Sequence, residues 1–485
     1  MKEDHVESIE TGSVFRQYLV TIIVTLSTLN YGILVGWPSP VQRLLQSKTN
    51  PAIGDEPFTD DMMAMAGAVV YIGATIGSCF WAFVANKIGR QKTSILIVLP
   101  YVITWTLVCF TNSSTSLYIA RMIGGLGLGN AGSIINAPMY VAEICTPRLR
   151  DHLGPFLMVF GCIGTLYAYT CGWLLPFHIF NYMNLVIAIF SVLVTCYLPE
   201  TPVYYLKCNE LRKAKRSLIW LRNYQEDNEE HLNALETDLK VLESSFLNRN
   251  SLTPWRDLLI PSTKNAVLVG LGLISSIQFS GIAVVTVNAV AIFTSAEVNV
   301  GTPVKLAPHL SSIIIAILQL LSALGSVYIV SKFNRKFLLI VTYTPISFFL
   351  FLLGVFYYLK FINFQHLHHG ALAPLVYLSI YIVAYYIAAG PVTYIVLSEI
   401  FPAENRNLCM GIVMFYQHIL MGSLVRLFPV MKRNIGMFGC MWTYSLVTFI
   451  GVILIFLYLP ETKNKSFKHV VQKLSHLRKL KSTPS

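Results

Sequence analysis

Two short charged phrases are each written twice in this chain, about half a chain apart, at the ends of long apolar runs. Glu143-Ile144 with Arg150 returns as Glu399-Ile400 with Arg406, Glu and Arg seven residues apart both times. Asn86-Lys87-Ile88-Gly89-Arg90-Gln91-Lys92 is echoed by Ser331-Lys332-Phe333-Asn334-Arg335-Lys336, and Pro199-Glu200-Thr201 by Pro460-Glu461-Thr462. All three pairs are displaced by nearly the same distance, so the chain reads as two copies of one unit. Where two such units are apolar, a solute pathway between them is the physical expectation.

The apolar runs set the fold class. A helix needs about 20 apolar residues to cross a bilayer. Such stretches lie at about 15–37, 62–85, 93–111, 116–142, 153–175, 178–198, 265–296, 307–330, 337–359, 371–398, 408–431 and 436–459. The expected architecture is an all-α polytopic membrane protein with twelve transmembrane helices in two pseudo-symmetric six-helix bundles. These occupy 1–198 and 264–459, with a cytoplasmic helical linker at 199–263 and a basic tail at 460–485. Composition agrees: 54% of residues are hydrophobic and 12% charged, about half the charge of a soluble domain. The first stretch has no small-residue cleavage site and is expected to end at Gly36-Trp37-Pro38, so it reads as a span and not as a signal peptide.

On this map Arg43, Lys48, Lys305, Lys360, Lys432 and Arg433 fall on one side, and Arg121 and Arg426 lie within spans. The remaining Lys and Arg share the side of both termini and the linker, which the positive-inside rule places in the cytoplasm. The net charge of +12 is that surface facing anionic headgroups, and it requires no nucleic acid. The nine Cys are scattered without a metal or redox pattern. There is no phosphate-binding Gly-Lys loop, so nothing points to a cofactor or an enzyme. Asn112-Ser113-Ser114 is a glycosylation sequon in the loop expected outside between spans 3 and 4. Leu211, Leu218, Leu221, Leu232, Leu235, Leu239 and Leu242 have helical spacing and predict two or three short linker helices. In the tail, Phe467, Val470, Val471, Leu474, Leu477 and Leu480 share one face among Lys and Arg. That pattern fits an interfacial amphipathic helix, and a disordered basic tail equally.

Further motifs spread over nearly the whole chain. They are Gly36-Trp37-Pro38-Ser39-Pro40, Lys87-Ile88-Gly89-Arg90, Arg121 with Gly125, Pro138-Met139-Tyr140-Val141-Ala142-Glu143-Ile144, Pro199-Glu200-Thr201-Pro202, Gln278-Phe279-Ser280-Gly281-Ile282, Gly390-Pro391-Val392, Ser398-Glu399-Ile400-Phe401-Pro402 and Pro460-Glu461-Thr462-Lys463. In this order and at these intervals the chain resembles the sugar porter family of the major facilitator superfamily, most nearly the arthropod facilitated trehalose and glucose transporters. The resemblance implies the twelve-helix fold of that superfamily. It also implies a small-molecule sugar substrate, a place in the lipid bilayer of the plasma membrane, and no requirement for an oligomer.

The charges have a reading of their own. Arg90, Glu143, Arg150 and Glu200, with Arg335, Glu399, Arg406 and Glu461, are expected at cytoplasmic helix ends, where headgroups and water tolerate them. There they can pair across helix ends. The resemblance implies a cytoplasmic gate built from them; a topology signal is the other reading. The chain departs from the family at Asn86 and Ser331, where an acid is usual. It departs again at Asn334, Asp151 and Asn407, where Gly is usual.

The resemblance places substrate contacts at Gln278, Ser280, Gly281, Asn288, Thr393, Gln417 and His418, with Met158 in span 5. Several are replacements: Ile277, Ala283, Met158 and Gln417-His418 stand where amides or aromatics are usual. Each lost amide removes about 0.5–1.5 kcal/mol of net hydrogen bonding. Asn288, Thr286, Gln417 and His418 could rebuild a polar pocket, or they could be interhelical glue around a degenerate cavity. No carboxylate is expected near mid-membrane, and His418 is the one titratable group expected there. Facilitated diffusion is therefore the expected mode. A porter for a non-sugar solute, or a non-transporting sensor, are the alternatives; the short tail argues against the sensor. Epitope tags at residues 1 and 485 should react with antibody only after permeabilisation, and reaction in intact cells would overturn the topology.

Overall fold

The computed structural model describes residues 14–49, 51–128, 136–145, 149, 153, 156–224, 229–247, 261–296, 307–364, 372–401, 405–463 and 465. The first half runs through α1 (Val14–Gly36), α2 (Pro38–Leu45), α3 (Asp60–Ile88), α4 (Arg90–Cys109), α5 (Ser114–Leu128), α6 (Ala137–Ile144), α7 (Phe156–Leu174) and α8 (Phe177–Thr195). The linker holds α9 (Pro202–Lys207), α10 (Leu211–Arg222) and α11 (Glu229–Leu247). The second half holds α12 (Pro261–Gln278), α13 (Ile282–Val287), α14 (Ala289–Ala296), α15 (Pro308–Lys332), α16 (Arg335–Phe361), α17 (Ala373–Ala384), α18 (Gly390–Ile400) and α19 (Arg406–Tyr458). The tail beyond residue 465, with the face expected to form an amphipathic helix, lies outside the described residues, as does Arg150.

Ten of the described helical stretches are long and apolar enough to cross a membrane. The last of them holds two spans, because α19 turns at Gly436. Another span is divided between α5 and α6. The fold is thus the twelve-helix architecture in two six-helix bundles. One boundary differs from the sequence expectation. The first span does not end at Gly36-Trp37-Pro38: Trp37 keeps helical angles and the helix resumes to Leu45. Proline at the first position of a helix surrenders only a donor that has no partner there, so it bends the path without stopping it.

Local chemistry sets the other breaks. Thr59 caps α3 by accepting from Met62 N at 3.2 Å, with Asp60 and Asp61 in the first turn, where a helix dipole favours acids. The seventh span breaks after Gln278. Gly281 takes φ +81°, and a Cβ there would meet the Tyr444 ring at 2.8 Å. Between α17 and α18 the turn widens to a π-helical one at Tyr385–Ala389, just before Pro391, which has no N–H to give.

The bundles meet along two seams, α3 against α19 and α7 against α15. The outward faces are apolar: Val186, Phe190 and Leu193 on α8, and Phe348 and Phe351 on α16, are exposed, as lipid contact requires. Inside the first bundle a full charge is enclosed. Arg121 donates from Nε to Ala66 O at 2.7 Å and from Nη2 to Leu34 O at 3.1 Å, and its guanidinium lies 5.0 Å from the Trp37 ring centre. Trp37 in turn donates to Asn181 Oδ1 at 2.8 Å. Lysine can reproduce neither the two-carbonyl fork nor the flat stacking. Arg121→Lys should therefore lower stability by about 1.5–3 kcal/mol, read as a reduced thermal midpoint in detergent. An unchanged midpoint would refute this account of the bundle core.

Candidate functional site

Two clusters of the same design stand at one end of the two bundles. In the first, Glu200 lies just beyond α8 and seats its carboxylate on the start of α4. Its Oε1 accepts from Arg90 N at 2.8 Å and Thr201 N at 2.9 Å, and its Oε2 from Gln91 N at 3.1 Å. These are donors that no helix can satisfy internally. Held this way, Arg90 reaches Glu143 at the end of α6, with Nη2 to Oε1 at 3.2 Å and Nε to Oε1 at 3.3 Å. Thr201 closes the ring by donating to Glu143 Oε2 at 2.6 Å. Burial pushes the Glu200 carboxyl above its ordinary range, against the lowering pull of the Thr201, Arg90 and Gln91 N–H groups and the Arg90 charge.

The second cluster repeats the first. Glu461 accepts from Arg335 N at 3.0 Å, Lys336 N at 3.1 Å, Thr462 N at 3.1 Å and Lys463 N at 3.0 Å. Arg335 Nε lies 3.6 Å from Glu399 Oε1, and Thr462 Oγ1 donates to Glu399 Oε2. Arg406, at the start of α19, is exposed. The two threonines escaped the sequence reading although both belong to the repeated Pro-Glu-Thr. Only their carboxylate neighbour had been given a role.

The clusters are not equally tight. The Arg90 and Glu143 side chains are each 8% exposed, against 15% and 30% for Arg335 and Glu399. The residue before the arginine explains part of this. Gly89 has φ +96°, and a Cβ there would stand 2.2 Å from Glu200 Oε2. Its counterpart Asn334 has an ordinary extended conformation, φ −68° and ψ 143°. Gly89→Ala should therefore cost about 1–3 kcal/mol and lower the thermal midpoint. Asn334→Gly should change it by less than about 1 kcal/mol. Equal effects at the two positions would sink this explanation of the difference.

The residues expected along a substrate pathway are distributed as follows. Gln278 ends α12, fully buried, and neither amide atom has a partner among the described residues. Ser280 donates to Ile277 O at 2.6 Å, while its own carbonyl accepts from Tyr381 OH at 3.1 Å. Asn288 donates to Val284 O at 3.1 Å and Thr286 to Ile282 O at 2.9 Å, both within their own helix turns. Thr393 donates to Ala389 O at 2.7 Å and lies 3.4 Å from Tyr343 OH. Gln417 faces the Tyr394 hydroxyl, with Nε2 at 2.9 Å. His418 Nδ1 meets Ser78 Oγ at 3.3 Å across the α3–α19 seam. Met158 packs with Cys162, Leu320 and Tyr386 across the α7–α15 seam. Gln278 thus stands apart from the other side-chain amides and hydroxyls of this set, which are engaged by the protein itself. Asn112 is exposed in the short turn between α4 and α5.

Tyrosines are what the sequence reading missed. Tyr31 lies within electrostatic reach of Tyr71, Tyr101 and Tyr394, and Tyr386 within reach of Tyr31, Tyr169 and Tyr381. Tyr169 donates to Thr286 O at 2.6 Å across the bundles. Both halves therefore contribute phenol rings to one central region. The available signal was the spacing Tyr377, Tyr381, Tyr385, Tyr386 along one helix.

The family described as sugar (and other) transporter matches residues 20–474. A facilitated trehalose transporter, Tret1 of Apis mellifera ligustica, is 24% identical over 475 residues, 96% of this chain and 91% of that protein. The Tret1 of Drosophila yakuba is 24% identical over 469 residues, and there the chain matches only 52% of the relative's length. The inward-open xylose transporter XylE of E. coli superposes with a TM-score of 0.73 at 20% identity, covering 95% of this chain and 99% of that one. The human organic anion transporter MFSD10 superposes at 0.59 with 15% identity, covering 90% and 98%. At these identities the structural likenesses carry the fold alone.

Proposed function

The chain belongs to the sugar (and other) transporter family, and from that premise we propose that it moves a small sugar, such as trehalose or a hexose, across a membrane by facilitated diffusion. The observation that carries this reading is Gln278. An enclosed amide with both atoms unpartnered costs about 1–3 kcal/mol unless a ligand or water completes it. It offers donor and acceptor together, which is what a sugar hydroxyl needs. The break at Gly281 ends its helix at that point. Tyr381, which donates to the carbonyl of Ser280, two residues on from Gln278, supplies a flat face on which sugar C–H surfaces stack.

In the proposed cycle the bundles 1–198 and 264–459 rock about the seams α3–α19 and α7–α15. Arg90, Glu143 and Glu200, and Arg335, Glu399, Arg406 and Glu461 in the second half, stand at the cytoplasmic end and make and break contacts as that end opens; Arg150, the sequence counterpart of Arg406, lies outside the described residues. Both termini and the linker 199–263 then face the cytoplasm of a plasma-membrane protein. Passive movement follows from the lack of a carboxylate among the described mid-membrane residues. A second reading has its own support: Gln417 and His418 are already engaged by Tyr394 and Ser78. Those engagements leave fewer groups for a polyol and favour a less hydroxylated solute.

A panel of sugars, polyols and organic ions offered to proteoliposomes separates the two. In the sugar reading Gln278→Ala lowers uptake about tenfold, equivalent to about 1.4 kcal/mol of binding. Uptake against a solute gradient driven by an imposed pH gradient would refute the passive mode. Failure of every sugar and polyol in a surface-expressed, folded protein would leave the second reading.

A further inference from the structure

The end of the molecule away from the Arg90 and Arg335 clusters carries charges that no repeated motif accounts for. We propose that Asp61, Arg426 and Arg433 form the outer gate of the transport cycle, a clamp between the bundles that must release before the outer mouth can open. Asp61 belongs to the first turn of α3, in the first bundle. Arg433 grips it with a fork, Nη1 to Oδ2 at 2.8 Å and Nη2 to Oδ1 at 3.5 Å. Arg426 adds Nη1 to Oδ1 at 3.4 Å. Both arginines lie on α19, in the second bundle, so one carboxylate bridges the two halves.

Three features separate this clamp from an incidental surface pair. First, Arg426 sits inside an apolar helix, where an arginine is costly unless water or a partner meets it, and the partner shown for it is on the other bundle. Second, the neighbouring acid is otherwise engaged: Asp60 takes the Gln46 amide at 2.8 Å. Thr59, Asp60, Asp61, Pro429, Lys432 and Arg433 line a half-open cleft of about 400 Å³ at this point. Third, the ion pairs at the opposite end join residues of the same half, Arg90 to Glu143 and Arg335 to Glu399, whereas this group joins the halves. Beneath it the seam is close: a Cβ on Gly67 would lie 3.0 Å from Val425, a fully buried residue next to Arg426. Opening the outer mouth separates α3 from α19 and pulls Asp61 off both guanidiniums.

The clamp rests on the alternating motion of the proposed function but not on the identity of the solute. Its charges are partly exposed, at 36% for Asp61, 44% for Arg426 and 64% for Arg433. The pairs are therefore screened and should bias the equilibrium modestly, about two- to tenfold in population. Val425→Cys places a reporter thiol behind the clamp, in the full chain with Cys109→Ser and Cys171→Ser. The readout is its rate of modification by a membrane-impermeant maleimide added outside. Asp61→Asn and Arg433→Gln should each raise that rate about two- to tenfold. Reversing all three charges, with Asp61→Lys, Arg426→Glu and Arg433→Glu together, should bring it back toward the parent. Raising salt to about 1 M should speed labelling of the parent but not of Asp61→Asn. The proposal is overturned if both single variants label at the parent rate, or if the triple reversal labels as fast as Asp61→Lys alone. Labelling needs no transported solute, so its outcome is independent of whether the sugar reading holds.

Discussion

A carboxylate lying on the open first turn of a membrane helix is the interaction from which one end of this protein is assembled. The leading N–H groups of a helix have no internal acceptor, and their summed dipole favours an anion. Glu200 answers both needs for α4, and Glu461 does so for α16. Each carboxylate comes from the segment that follows the last span of its own bundle. Capping therefore also fixes where that last span ends relative to the third. With the helix start fixed, the arginine at its first position reaches the acid at the end of the fourth span, Arg90 to Glu143 and Arg335 to Glu399. The threonine after the capping acid then ties that second acid back to the cap.

The same device is executed with different stringency in the two halves. A glycine with positive φ lets the Glu200 carboxylate come down onto the helix end, and the resulting Arg90–Glu143 pair is nearly enclosed. With Asn334 in an extended conformation, the Arg335–Glu399 pair is longer and wetter. Lys463 compensates in part by donating to the Ser331 and Lys332 carbonyls at 2.8 and 2.9 Å, closing the end of α15. Water around the second pair lowers its strength and makes it the easier of the two to break.

The middle of the molecule follows a different economy. Most side-chain hydroxyls there return to the carbonyl one turn back, as Ser280, Thr286, Thr393 and Ser78 do. That is the cheapest way to carry a polar group through hydrocarbon. Gln278, by contrast, is fully buried with no partner for either amide atom among the described residues. The polar replacements that looked like a rebuilt pocket are divided: Gln417 serves Tyr394, and His418 serves the seam through Ser78.

The sequence by itself determined the number of spans, the division at the linker and the doubled helix ends. Each of these follows from a local property: apolar length, charge placement, or a motif repeated in order. Glu143, Glu200, Glu399 and Glu461 were legible because they recur at matched spacing between apolar runs. Thr201 and Thr462 were written beside them, yet a hydroxyl has no signature until its acceptor is in place. Tertiary structure alone decided which buried polar groups are spent and which are free. Gln278 and Gln417 are equally polar in the chain, but one ends a helix with no acceptor in reach while the other packs against Tyr394. It also decided that Asp61 meets Arg426 and Arg433, residues separated by most of the chain. Pairing across a seam depends on how two bundles dock, and no periodicity in either partner's segment encodes that.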